Sequence, residues 1–148
     1  MVVLGLGDTG LSMARWLARR KAQVRVADSR AAPPHATTLA HELPQIPFTA
    51  GQFSDATLAG VDLVAISPGI DRREAPIANA LSRGVPIAGD VELFAQALNQ
   101  AASRQPPAAS REPRATSHEP RAATPKVVAI TGSNGKSTVT AMTGGMCR

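Results

Sequence analysis

Residues 2–10 read Val2-Val3-Leu4-Gly5-Leu6-Gly7-Asp8-Thr9-Gly10, and the apolar positions Leu11, Ala14, Leu17 and Ala18 that follow repeat with helical spacing. An apolar run, a G-x-G-x-x-G turn and an amphipathic helix form a strand–turn–helix unit in which each glycine has its own task. Gly5 permits the tight turn, Gly7 lets the backbone approach a diphosphate, and Gly10 allows helix and strand to pack closely. The N–H groups that open the helix then face an anion. Asp28 ends the next apolar run, Gln23–Ala27, where a carboxylate can accept hydrogen bonds from a ribose or a base edge. These residues alone leave the ligand open: NAD, a nucleotide-sugar, or a turn that holds nothing.

Outward from this unit, strands and helices alternate. Thr37–Leu43 has the pattern of a short helix stopped by Pro44, and Ile46–Ala50 that of a third strand. Val61–Ser67 (VDLVAIS) is the clearest strand, bounded by Gly60 and by Pro68-Gly69. Ile77–Arg83 is expected to be a helix with Gly84 as its stop, Val85–Ala88 a short strand, and Val91–Gln100 a helix capped by Asp90. The expected fold class is α/β, a Rossmann-like doubly wound parallel sheet over residues 1–100. Ser67-Pro68-Gly69 follows the strongest strand, at the sheet edge where such folds bind ligands; a plain turn is the alternative.

Composition excludes several functions. The 148 residues carry a net charge of +5, with 16 Lys and Arg of which only Lys21, Lys126 and Lys136 are lysine. The arginines are scattered and aromatics make up only 3%, so the clustered basic patch of a nucleic-acid binder is missing and small anionic ligands fit better. Cys147 is the single cysteine, which rules out an internal disulfide framework and suggests a reducing compartment. No apolar stretch approaches the ~18 residues of a membrane span, and Asp8 interrupts the N-terminal apolar run. A cytoplasmic monomer without membrane insertion is expected. His35, His41 and His118 lack ligand spacing for a metal, and Trp16 is expected to pack on the first helix.

Residues 101–125 contain no Val, Ile, Leu, Met or aromatic side chain and hold an imperfect repeat, SREPRAT then SHEPRAAT. Nothing in that composition offsets the entropy of ordering, so a disordered linker is expected, with a partner-binding arm as the alternative. Order should resume at Lys126. Val127–Ile130 is strand-like, and Thr131-Gly132-Ser133-Asn134-Gly135-Lys136-Ser137-Thr138 is a phosphate-binding loop before a helix. Ile130 stands where the usual longer motif begins with Gly, yet the mechanics survive. Backbone N–H groups from Ser133 to Lys136 can cradle phosphates, Lys136 can reach the β- and γ-phosphates of ATP, and the hydroxyl of Ser137 or Thr138 can ligate Mg²⁺. One strand and one helix cannot bury a core, so residues 126–148 are expected to begin an ATP-binding domain that continues past Arg148. Val2–Leu4 is likewise shorter than a usual strand of about five to six residues, so a longer N-terminus is expected.

With both turns in place the chain resembles the Mur ligases. The resemblance runs over 2–99 and from Pro125 onward, and rests on GLGDTGLS at 5–12, Asp28-Ser29-Arg30, Ser67-Pro68-Gly69-Ile70, GDVELF at 89–94 and AITGSNGKST at 129–138. SPGI and GDVELF favour the D-glutamate-adding branch. The resemblance implies an ATP-dependent, ADP-forming amide ligase of peptidoglycan precursor synthesis, with UDP-N-acetylmuramoyl-L-alanine and D-glutamate as substrates. It implies that Asp8 and Thr9 contact the diphosphate, and that Asp28, Ser29 and Arg30 hold the uracil and neighbouring groups. Ser67, Pro68 and Gly69 would line the same site. Gly132, Ser133, Asn134, Gly135, Lys136, Ser137 and Thr138 would bind ATP, with Lys136 catalytic and Mg²⁺ bridging the phosphates. Two rival readings stand beside it: a nicotinamide-dependent oxidoreductase domain, which leaves the second turn unexplained, and a non-catalytic nucleotide-binding module.

Overall fold

The computed structural model describes residues 1–103, of which Met1–Gln100 form one compact unit. The expected linker over 101–125 and the phosphate loop at 131–138 lie outside the described residues, apart from the first three positions of the linker, which end a helix.

The chain alternates strand and helix as β1 (Val2–Leu4), α1 (Asp8–Arg19), β2 (Arg25–Asp28), α2 (Ala36–Glu42), β3 (Phe48–Ala50), β4 (Val64–Ile66), α3 (Ala75–Ser82), β5 (Ile87–Ala88) and α4 (Asp90–Ser103). All five strands pair in parallel, in the order β3-β2-β1-β4-β5. Parallel strands are buried on both faces, and the two cores sort accordingly. Val3, Val26, Ala65 and Ala88 point to one side, where Leu11, Ala14 and Leu17 of α1, Leu39 of α2 and Leu93 of α4 cover them. Val2, Leu4, Ala27, Val64 and Ile66 point to the other side, beneath Phe53, Leu58, Val61 and Ile77 and Ala80 of α3. The alternation of adjacent residues between two apolar layers is the period-2 geometry of a strand. Trp16 packs at the margin of the first core, and the Arg20 guanidinium carbon lies 4.0 Å from its ring centroid.

Element boundaries moved where tertiary pairing decides them. The strand expected over 61–67 is paired only at Val64–Ile66, because its neighbour β1 offers three residues; the ladder closes with Val2 N–H donating to Leu63 O at 3.0 Å. The first helix begins at Asp8, inside the glycine motif, rather than at Leu11. Asp90 is the first residue of α4 rather than the one before it, and its Oδ1 accepts the Val91 N–H at 3.0 Å. Glu92 adds a second contact, its carboxylate accepting the Gly89 N–H at 2.8 Å, the returning arm of a capping box.

Candidate functional site

The chain runs outward from β1 through β2 to β3, then crosses to the opposite side of β1 for β4 and β5. The crevice between the carboxyl ends of β1 and β4 is therefore the topological switch point, where open α/β sheets bind their ligands. A cleft of about 480 Å³ opens there. It is lined by Asp8 and Thr9 from the start of α1, by Asp28, Ser29 and Arg30 at the end of β2, and by Ser67, Pro68 and Gly69 after β4. Gly5, Gly7 and Ile70 complete it. All eight cleft positions singled out in the sequence thus meet in one place, although 59 positions separate Asp8 from Ser67–Gly69 at the nearest, as 67 − 8.

The three turn glycines differ in surroundings. Gly5 has φ +86°, a left-handed conformation that disfavours side chains, and a Cβ there would lie 2.9 Å from Ser67 Oγ. At Gly10 a Cβ would fall 1.7 Å from Gly5 O, so this position must be bare for α1 to reach the turn. At Gly7 a Cβ would meet nothing within 4 Å, because that side faces the open cleft. Gly5 and Gly10 are required by packing, while Gly7 borders open space in the cleft. The first helical bond of α1 runs from Leu11 N–H to Gly7 O at 3.0 Å, so the preceding N–H groups have no intrahelical acceptor.

Asp28 organises the cleft. It is the buried charged residue of the described core, 1% exposed. Its Oδ2 accepts the Leu6 N–H and Arg30 Nη2, each at 2.6 Å. Its Oδ1 accepts the Arg30 backbone N–H at 2.8 Å and Arg30 Nε at 2.9 Å. The Arg30 guanidinium, with the Leu6 and Arg30 N–H groups in support, holds this carboxyl at about 2 against the cost of burial. Four protein donors use the acceptor capacity of a carboxylate. Asp28 therefore ties the glycine turn to Arg30, whose guanidinium stays half-exposed in the cleft. Ser67 joins the same frame: its N–H donates to Leu4 O at 3.0 Å and its hydroxyl to Gly5 O at 3.3 Å.

His35, which carried no signal in the sequence beyond its place after Pro33-Pro34, stands at the rim. Its Nε2 is 2.7 Å from Asp8 Oδ1. Among the described residues no group of three His, Cys, Asp or Glu side chains is placed to hold a metal ion, and no helix is long and apolar enough to cross a membrane. Lys136 and the rest of the 132–138 loop lie outside the described residues.

A parallel sheet with a glycine turn, a helix N-terminus and an organised Asp–Arg pair at its switch point defines a Rossmann-like α/β domain. Residues 1–89 match the family described as Mur ligase MurD-like, N-terminal domain, and the chain belongs to that family. It is 53% identical over 148 residues to a UDP-N-acetylmuramoylalanine–D-glutamate ligase of Thiobacillus denitrificans, covering 100% of this chain and 29% of the relative. Ligases of the same name from Nitrosospira multiformis and Methylobacillus flagellatus are 45% and 44% identical, again over 100% of this chain and over 27% and 28% of their own lengths. The chain thus spans less than a third of these relatives.

Proposed function

We propose that the chain is the N-terminal part of a cytoplasmic ligase that joins D-glutamate to UDP-N-acetylmuramoyl-L-alanine at the expense of ATP. In this reading residues 1–100 bind the uridine nucleotide, 101–125 are a tether, and 126–148 begin the ATP-binding domain. The observation that carries it is the convergence of Asp8, Thr9, Asp28, Ser29, Arg30, Ser67, Pro68 and Gly69 on one switch-point cleft. The family of the chain and the printed names of its relatives support the choice of substrate.

The cleft's chemistry suits a uridine diphosphate. The free N–H groups opening α1 offer the diphosphate donors and the positive end of a helix dipole. Asp8 would contribute through its backbone N–H, since its carboxylate repels the ligand. Arg30, oriented by Asp28, presents a planar cation to the base, and Ser29 and Ser67 offer hydroxyls beside it. Nothing in this frame requires a nicotinamide.

The family of the chain, together with the loop sequence at 131–138, supports an acyl-phosphate route. The carboxylate of the bound substrate takes the γ-phosphoryl group of ATP, giving an acyl phosphate and ADP. The amine nitrogen of D-glutamate then attacks the acyl carbon, the amide forms, and phosphate leaves. Lys136 would stabilise charge on the transferred phosphoryl group, with Gly132–Gly135 cradling phosphates and Ser137 or Thr138 ligating Mg²⁺. The isolated chain is expected to be inactive, since it spans less than a third of the ligases it resembles. In the complete protein, Lys136→Ala is expected to lower acyl-phosphate formation on the order of 10²–10³-fold or more while uridine-nucleotide affinity stays within about twofold. Parent-like turnover in that variant would remove the ATP role of this loop and the ligase reading with it.

A further inference from the structure

We propose that His35 is a positioning residue of the uridine-diphosphate cleft, holding the Asp8 carboxylate by a hydrogen bond so that it stays aside while the diphosphate meets the amides of the α1 turn. The inference rests on the uridine-diphosphate reading above. Asp8 is the first residue of α1, where a carboxylate suits the helix dipole but competes with any anion bound at the same turn. Its side chain is 99% exposed, yet His35 Nε2 sits 2.7 Å from Oδ1. His35 is also the residue immediately before α2, at the end of the segment that starts with Ser29 and Arg30. The contact therefore fastens the base-holding segment to the phosphate turn.

A second rung lies seven residues further along both helices. Arg15 of α1 binds Glu42 of α2 through two hydrogen bonds of 2.7 and 2.6 Å. That pair closes the same seam away from the cleft and serves as an internal control. The other charged groups of the cleft, Asp28 and Arg30, are paired with each other, so Asp8 is the charge that His35 answers.

The test is a calorimetric titration of the 148-residue chain with UDP-N-acetylmuramoyl-L-alanine at one pH. His35→Ala frees the Asp8 carboxylate and should weaken binding about three- to tenfold, as expected for one exposed, partly screened charge near a dianion. His35→Gln, which can keep the hydrogen bond to Asp8, should recover most of that loss. Adding Asp8→Asn to His35→Ala should also restore the parent's affinity, a rescue that a merely structural role of His35 would not give. Glu42→Gln, which breaks the control rung, should bind as the parent does. Parent-like affinity in His35→Ala, or no recovery when Asp8→Asn is added, would overturn the proposal. A parent that binds no uridine ligand would overturn the underlying assignment of the cleft, a result distinct from the other two.

Discussion

Two clefts of similar size, about 480 and 440 Å³, open at opposite edges of one sheet. At the carboxyl edge Gly5, Asp28 and Ser67 end three strands and are knit together: Leu6 and Arg30 donate to Asp28, and Ser67 donates to Gly5. At the amino edge Met1, Val24, Arg25, Pro47 and Asp62 surround the second hollow. There Arg25 Nη2 donates to Ala59 O at 2.5 Å, and its buried Nε has no hydrogen-bond partner among the described residues. Volume does not separate the two; chain direction does. Parallel strands aim every strand end and the N-terminus of each following helix at the carboxyl edge, so an anion finds N–H donors there. The amino edge receives helix C-termini, whose free groups are carbonyls.

Substitutions can break this comparison, starting with the turn. Gly10→Ala places a methyl group 1.7 Å from Gly5 O and should cost ~3 kcal/mol or more in denaturant unfolding, with nucleotide binding lost alongside. Gly7→Ala meets nothing within 4 Å in the protein. Its stability should stay within about 1 kcal/mol of the parent while uridine-nucleotide affinity falls about tenfold, since the methyl group occupies ligand space. Equal stability losses in the two variants would erase the distinction between a packing glycine and a ligand glycine.

Asp28 comes next. Its folded-state pKa of about 2 lies below the ordinary 3.8, so its contribution is complete above the unfolded value and is lost as pH falls from about 4 through 2. That contribution is about 2 kcal/mol. Unfolding midpoints of the parent should therefore drop through this window more steeply than those of Asp28→Asn, which lacks the contribution already at pH 7. Parallel pH profiles in the two proteins would mean that the Asp28–Arg30 frame adds nothing. The smallest effect is expected at the opposite edge. Arg25→Met should change stability by less than about 1 kcal/mol, because the lost hydrogen bond is offset by removal of a buried nitrogen without a partner. Nucleotide affinity should be unaltered by calorimetry. A clear loss of affinity would show that the amino edge matters to the site.

What could be read from the sequence follows from how local the determinants are. The glycine turn and Asp28 were legible because their spacing is set within one strand–turn–helix unit. Ser67-Pro68-Gly69 was placed correctly because the strand before it is apolar and sharply bounded. Strand length was not legible at Val61–Ser67, since pairing depends on a partner 62 positions away, as 64 − 2 in the register of Val2 with Val64. The partners of Asp28 were not legible for a related reason: a motif identifies a carboxylate at a strand end but not the four protein donors that reach it. His35 was invisible, because only the packing of α1 beside α2 brings it to Asp8. At α4, Asp90 and Glu92 are both acids in the first turn, and geometry alone shows that Glu92 reaches back to Gly89 while Asp90 takes the Val91 N–H.

Calorimetric titration of the chain with UDP-N-acetylmuramoyl-L-alanine, UDP and NAD decides whether the carboxyl-edge cleft is the proposed uridine-diphosphate site. Both uridine ligands are expected to bind at least about tenfold more tightly than NAD, a difference of about 1.4 kcal/mol. Tighter binding of NAD than of either uridine ligand would contradict it.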